Sequence, residues 1–304
     1  MSKQKLSERI KEGVLFLDGA MGTQLFERGA YTTGCGEYVG ITSPQVVKEV
    51  HTAYLSAGSD AIITNSFGGN SVALSKYDLA DQAEKINLQA ARNAIEAVEE
   101  FTKQNPGDRY VLGGLGPCGD FIEPLGMVKS DDLKQAFQQQ AKAFLDGGVD
   151  GFIIETMTAV EEAALAAQAV RSVCDLPLFV SFAFDAAGDD FRTMMGVNAE
   201  MAAEKILPIG VDAIGFNCGT LTMKEYIKLA KSFASIIEDD SVILMTEPNA
   251  GKPDLIEGKA KFTLTPDDYA EAGMTIKQAG AGIMGGCCGT SPEHIAALTS
   301  KLRA

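Results

Sequence analysis

The residues best suited to chemistry are cysteines, and three of them fall where their side chains can meet. Cys218 stands in GFNCGT, and the vicinal pair Cys287 and Cys288 in GGCCGT, each directly after a short aliphatic run. A thiolate binds zinc at about 2.3 Å, and three such donors leave one tetrahedral position free. Structural zinc normally takes four protein ligands, so a set of three is the pattern of a catalytic site open to substrate. A substrate thiol suits that position. With a pKa of about 8.5 it is mostly protonated at neutral pH, and coordination removes the proton. The competing reading is packing, since free cysteine is among the most buried residue types. A disulfide between adjacent Cys287 and Cys288 would be strained.

The other candidates carry less. Cys118 follows a third aliphatic run and Cys35 lies in a long irregular stretch, so both read as bystanders. Cys174 ends a helix on the opposite face, and His51 and His294 fall within or at the start of helices, where packing or surface roles prevail.

Convergence of residues about 70 positions apart requires elements that deliver them to one rim. Eight aliphatic runs recur: Val14–Leu17, Ala61–Thr64, Tyr110–Gly113, Gly151–Ile154, Leu178–Phe182, Ala213–Phe216, Val242–Met245 and Gly282–Met284. Their nearly continuous apolar character suits parallel strands covered on both faces. Helical periodicity follows each, over Pro44–Ala57, Asp81–Thr102, Ser130–Asp146, Val160–Ser172, Asn198–Leu207, Met223–Ile236, Pro266–Gln278 and Pro292–Leu302. Ser43, Thr265 and Ser291 each place a capping hydroxyl before an N1 proline, and Gly58, Gly147 and Gly280 suit helix ends. Eight strand–helix repeats predict a single α/β domain over residues 1–304, a (β/α)₈ TIM barrel, with a doubly wound open sheet as the alternative. The irregular stretches Glu27–Thr42 and Pro248–Leu264 follow strands, on the face where barrels keep their chemistry.

A charge of −15 over 304 residues opposes phosphate backbones and anionic membranes, so no nucleic acid or membrane partner is expected. No apolar run approaches the roughly 18 residues of a membrane span, and the N-terminal run is too short for a signal peptide. The six cysteines are therefore read as free thiols in a cytoplasmic protein.

The chain resembles the homocysteine S-methyltransferase family along essentially its full length. The matching segments are LDGAMGTQL (17–25), TNSFGGN (64–70), GLGPCG (114–119), IIET (153–156), GFNC (215–218), EPNAGKP (247–253) and GGCCGTSPEHI (285–295). GGCCGTSPEHI together with the upstream NC is the most specific of these. EPNAGKP and the overall spacing are similar to the homocysteine module of cobalamin-dependent methionine synthase, which implies a methylcorrinoid, methylcobalamin in kind, as methyl donor. With no evident segment for a corrinoid or folate, that donor is expected on a separate corrinoid protein.

The resemblance implies zinc on Cys218, Cys287 and Cys288, and homocysteine or a similar thiol as acceptor. It also implies a holder for the amino-acid end of the substrate. Glu155 would meet the ammonium, with Asp18 assisting or ordering its loop, and the backbone amides of Ala20, Met21, Gly22 and Thr23 would cradle the carboxylate. Asn217 would support a ligand or the substrate; Ser66 and Asn249, with Asn70 and Glu247 beside them, would contact substrate or satisfy loop amides. Each has a plainer rival, such as a turn for Asp18 or a helix-start acid for Glu155. Three departures, Gly-Thr-Leu-Thr after Cys218, the cysteine and acids of GPCGDFIEPLG in the third-strand loop, and Thr158-Ala159 beyond Glu155, bear on the identity of the thiol. The alternatives are S-methylmethionine or another donor, and a zinc-binding barrel without catalysis.

Overall fold

A computed structural model describes residues 3–30, 34–237, 241–256 and 259–303. The aliphatic runs become eight strands: β1 (Leu15–Phe16), β2 (Ala61–Ile63), β3 (Tyr110–Leu115), β4 (Gly151–Met157), β5 (Leu178–Phe182), β6 (Ala213–Asn217), β7 (Ile243–Glu247) and β8 (Ala281–Met284). The helices around them are α1 (Pro44–Ser56), α2 (Ala83–Thr102), α3 (Ser130–Gly147), α4 (Val160–Arg171), α5 (Ala199–Ile206), α6 (Met223–Ile236), α7 (Pro266–Gln278) and α8 (Pro292–Arg303). The strands pair in parallel in the order β1-β8-β7-β6-β5-β4-β3-β2.

The ends of that sheet also meet. Asp60 N donates to Phe16 O at 2.7 Å, Phe16 N donates to Asp60 Oδ2 at 3.0 Å, and Ile63 N donates to Asp18 Oδ2 at 3.0 Å. This seam, part backbone and part carboxylate, closes the (β/α)₈ barrel and sets aside the open doubly wound sheet. Among the described residues no helix is long and apolar enough to cross a membrane.

Alternation along the strands builds two cores. Leu15, Leu17, Ala61, Leu112, Ile153, Phe179, Ala213, Met245 and Ile283 fill the barrel, and Leu6 and Ile10, around the short helix Leu6–Arg9, close its floor. Their neighbours, among them Val111, Phe152, Ile154, Val180, Phe182, Ile214 and Phe216, face outward into the helix layer. Gly215 serves this closeness, for a Cβ there would lie 1.8 Å from Met245 O.

The floor is fixed by a repeat the sequence reading missed, Gly58-Ser59-Asp60, Gly148-Val149-Asp150 and Gly210-Val211-Asp212. Each glycine is left-handed, and each aspartate accepts an N–H from the start of a neighbouring strand: Phe16 at 3.0 Å, Val111 at 2.8 Å and Leu178 at 2.9 Å. Each also meets a cation: Arg9 and Arg303 on Asp60, Lys3 on Asp150, and Arg171 on Asp212. These bonds fasten the floor and leave the strand C-termini for chemistry.

At that upper rim the loops carry structure of their own. Two antiparallel hairpins occur, Asp185–Ala187 with Asp190–Arg192 and Asp254–Ile256 with Lys259–Lys261. The first is marked by Gly188-Asp189, a two-residue hairpin signal that the sequence reading passed over. The second falls in the expected irregular stretch Pro248–Leu264. Residues 257–258 there, and residues 31–33 of Glu27–Thr42, lie outside the described residues.

Candidate metal and active site

Cys218 follows β6 directly, and Cys287 and Cys288 follow β8 after the glycine pair. Their three sulfurs lie within 4.8 Å of one another, with 3.7 Å between those of Cys218 and Cys288. A zinc tetrahedron with bonds of about 2.3 Å spaces its sulfurs about 3.8 Å apart, so these thiols fit the ion in both type and spacing. All three are partly open to solvent. Sulfur hydrogen bonds from Cys287 and Cys288 drive the Cys218 thiol down to about 3, whereas the bond to Cys218 pushes Cys288 up to about 12 and Cys287 well above the usual thiol range. A divalent cation bound among them would displace the protons these thiols retain.

Backbone strain gathers at this point. Cys218 has φ +53° and Thr156 φ +62°, left-handed conformations uncommon for residues with a Cβ and costing of order 1–3 kcal/mol each. Asn217 lies between them, fully buried. Its Oδ1 accepts from Thr156 N at 2.7 Å and Ser181 Oγ at 2.8 Å, and its Nδ2 donates to Thr156 Oγ1 at 2.7 Å. The same Nδ2 stands 3.5 Å from Glu155 Oε2 and 3.7 Å from Cys287 Sγ. One side chain thereby ties β4, β5 and β6 together beneath the thiols. The register of β4 against β5 shifts between Ile154 and Met157, and that bulge turns Glu155 toward the mouth.

Asp18 just past β1, Glu155 near the end of β4 and Glu247 at the end of β7 form an acidic trio beside the sulfurs. Burial pushes Glu155 up to about 7, with the negative charge of Cys218 adding to it. Burial likewise raises Asp18 and Glu247 well above the carboxylate range, with the charge of Glu155 adding to both and that of Asp18 adding to Glu247. Among the described residues no lysine or arginine pairs with any of them. Glu247 Oε2 is buried without a hydrogen-bond partner among the described residues.

The other expected residues divide. Ala20 caps the short helix Met21–Glu27, so the first-turn amides of Met21, Gly22 and Thr23 lack intrahelical acceptors, and Gly22 is exposed. Gly289 N reaches Thr23 Oγ1 at 3.5 Å, joining this loop to the vicinal cysteines. Asn249 Nδ2 donates to Gly219 O at 2.7 Å, bracing the Cys218 loop, while its Oδ1 has no partner among the described residues. The Ser66 hydroxyl is committed to the strand ends, 2.6 Å from Thr64 Oγ1 and donating to Gly114 O at 2.8 Å, and Asn70 caps a turn by accepting from Ala73 N.

Cys35 and Cys118 are not in the sulfur cluster; each has an acid at hand, Cys35 Sγ on Glu37 and Cys118 N on Glu162. His294 joins Ser291 to Leu264 O, and His51 is buried on α1, away from the sulfur cluster. Thr156 and Ser181 were not foreseen, since no sequence signal shows which side chains a bulge brings together. Glu247 stood inside EPNAGKP, but its inward direction depends on the strand register.

A family model described as homocysteine S-methyltransferase matches residues 15–302. The methionine synthases of Mycobacterium leprae (strain TN) and Mycobacterium tuberculosis (strain ATCC 25618 / H37Rv) are each 34% identical over 306 residues, covering 95% of this chain and 24% of theirs. The chain thus spans about a quarter of the length of the curated relatives it matches. Among solved structures, the metallated form of the homocysteine methyltransferase MmuM from Escherichia coli has a TM-score of 0.78 at 22% identity, covering 98% of this chain and 99% of that one. A methyltransferase from Methanosarcina mazei has a TM-score of 0.57 at 12% identity, covering 99% and 94%. Both likenesses bear on the fold.

Proposed function

The chain belongs to the homocysteine S-methyltransferase family, and from that premise we propose that it transfers a methyl group to the sulfur of homocysteine, with zinc held by Cys218, Cys287 and Cys288. The observation that carries this reading is the meeting of three thiols from two strand ends at zinc-like spacing, beside an unpaired acidic trio. When bound, zinc supplies the positive charge that keeps an incoming thiol deprotonated and nucleophilic at neutral pH.

The chain's own residues hold the rest of the substrate. Glu155 and Asp18 take its ammonium, a cation that the trio lacks. The amides of Met21, Gly22 and Thr23, with Ala20 as cap, take its carboxylate. Asn217 holds Glu155 and Cys287 in relation to each other, Asn249 braces the loop after Cys218, and Ser66 fixes the neighbouring wall. Fixing both ends of homocysteine leaves its sulfur one direction of attack, and such positioning is worth several kcal/mol of barrier.

The methyl donor in this reading is a methylcorrinoid presented by a protein partner. The match to methionine synthases supports it, as do the apolar side chains Phe26, Phe67, Phe121, Leu125, Met127 and Met194, all exposed and all in segments following the strand C-termini. Zinc X-ray absorption with and without homocysteine tests the metal and the acceptor together. Three sulfur ligands rising to four on addition of homocysteine is expected; a shell that homocysteine leaves unchanged overturns the reading. Methionine formation from methylcobalamin, set against S-methylmethionine, tests the donor, and transfer from S-methylmethionine alone would overturn the corrinoid assignment.

A further inference from the structure

Three of the surrounding helices each send one buried tyrosine to the loops that carry the thiols. Tyr226 on α6 donates its hydroxyl to Cys218 O at 2.5 Å and stacks on Phe216, ring centroids 5.6 Å apart. Tyr269 on α7 donates to Gly285 O at 2.6 Å and stands 3.3 Å from Pro248 O. Tyr54 on α1 reaches both Ala20 O and Thr290 O at 3.2 Å, and Thr290 Oγ1 in turn donates to Cys287 O at 2.6 Å. Burial holds all three phenols in the neutral, donating form.

A phenylalanine would fill the same space at each position, so the hydroxyls need a separate reason. The left-handed backbone of Cys218 supplies one for Tyr226, because such strain persists only where the surroundings over-determine it. The bond to Cys218 O holds the peptide plane after the strained residue, while Cys218 N donates to Glu247 O at 3.3 Å on its other side. Tyr269 does the same for the strand end leading into Cys287, which itself donates from N to Pro248 O at 2.9 Å. Tyr110 offers the contrast. It is buried at the barrel floor and its hydroxyl has no partner among the described residues.

We propose that Tyr54, Tyr226 and Tyr269 are positioning residues of the thiol cluster, fixing the strand-end loops around it by hydroxyl-to-carbonyl bonds so that the sulfurs converge before a metal arrives. The inference rests on the metal reading above.

The test is Co(II) titration of the full chain, reduced, followed by the thiolate charge-transfer band and by competition with a chelator. Tyr226→Phe and Tyr269→Phe should weaken Co(II) binding roughly 10- to 100-fold, the scale for losing a group that orients a ligand, and should broaden or shift the band. Tyr110→Phe should leave both unchanged. Parental affinity and spectrum in both Tyr226→Phe and Tyr269→Phe, or an equal loss in Tyr110→Phe, would overturn the positioning role. A parent chain showing no thiolate band would instead overturn the metal reading, and this inference with it.

Discussion

Replacing Asn217 with alanine tests the centre of the site most directly. The substitution removes the acceptor for Thr156 N and Ser181 Oγ and the donor to Thr156 Oγ1, all in a fully buried position. The serine hydroxyl can rotate to another acceptor, whereas the amide of Thr156 cannot, and each buried group left unpaired costs about 1–3 kcal/mol. The left-handed Thr156 loses the contact that holds it and is free to relax, carrying Glu155 with it. The sum is about 2–5 kcal/mol, a fall in Tm of roughly 3–8 °C for a chain of this size. Calorimetry of the metal-free protein measures it. Asn217→Asp sharpens the test, because it keeps the acceptor but places a carboxylate where Nδ2 stands, 3.5 Å from Glu155 Oε2. Two full charges at that distance repel by about 5 kcal/mol at an effective dielectric of about 20. The aspartate variant should therefore approach parental stability at acidic pH, where the pair shares a proton, and lose it at alkaline pH. An alanine variant melting within about 2 °C of the parent, or an aspartate variant indifferent to pH, would refute the role of Asn217 as the tie beneath the thiols.

Other outcomes follow from the same geometry. Cys287→Ala should abolish zinc retention, measured by metal analysis after dialysis, while the circular dichroism of the barrel persists, because the ligand lies on the rim and not at the floor. The carboxyl of Glu155 keeps its proton to about 7 when folded but loses it near the ordinary 4.5 when unfolded. It therefore adds stability that is fully present below 4.5 and lost as pH rises through 7, up to roughly 3 kcal/mol, less for the part that water reaches. Denaturant unfolding of the metal-free chain should show that slope, and Glu155→Gln should flatten it while raising KM for homocysteine. A Cβ on Gly285 would lie 2.7 Å from Leu17 Cβ and 2.9 Å from Asp18 O, so Gly285→Ala should cost about 1–3 kcal/mol by thermal unfolding. Gly22→Ala meets nothing within 4 Å and should leave the midpoint unchanged.

The sequence was most legible where residue type decides the structure. Aliphatic runs buried on both faces leave a continuous apolar signature, so the eight strands emerged near their observed bounds, and thiols at two strand ends pointed to one rim. What escaped depends on register and backbone angle. The expected fourth strand stopped at Ile154, yet β4 runs on through a bulge to Met157, and it is the bulge that directs Glu155. No side-chain pattern announces a left-handed threonine, because its conformation is imposed by Asn217 from another strand. The Gly-x-Asp repeat at the floor was visible as letters, but its meaning required knowing which strand start lies beside each aspartate.

Charge explains why the mouth is arranged as it is. Three thiols and three carboxyls, fully ionised, would crowd six negative charges into a space with no lysine or arginine paired to the acids among the described residues, and low-dielectric repulsion forbids that. The chain answers with protons: Asp18, Glu155, Glu247, Cys287 and Cys288 all hold theirs more tightly than usual, and Cys218 alone gives its up. A site whose negative charge is held down by displaceable protons is one built to exchange them for cations. The sulfurs suit a soft divalent ion and the carboxylates suit an ammonium, so the sorting of ligand types between the two halves of the mouth is what would seat a metal-bound thiol and an amino group in one orientation.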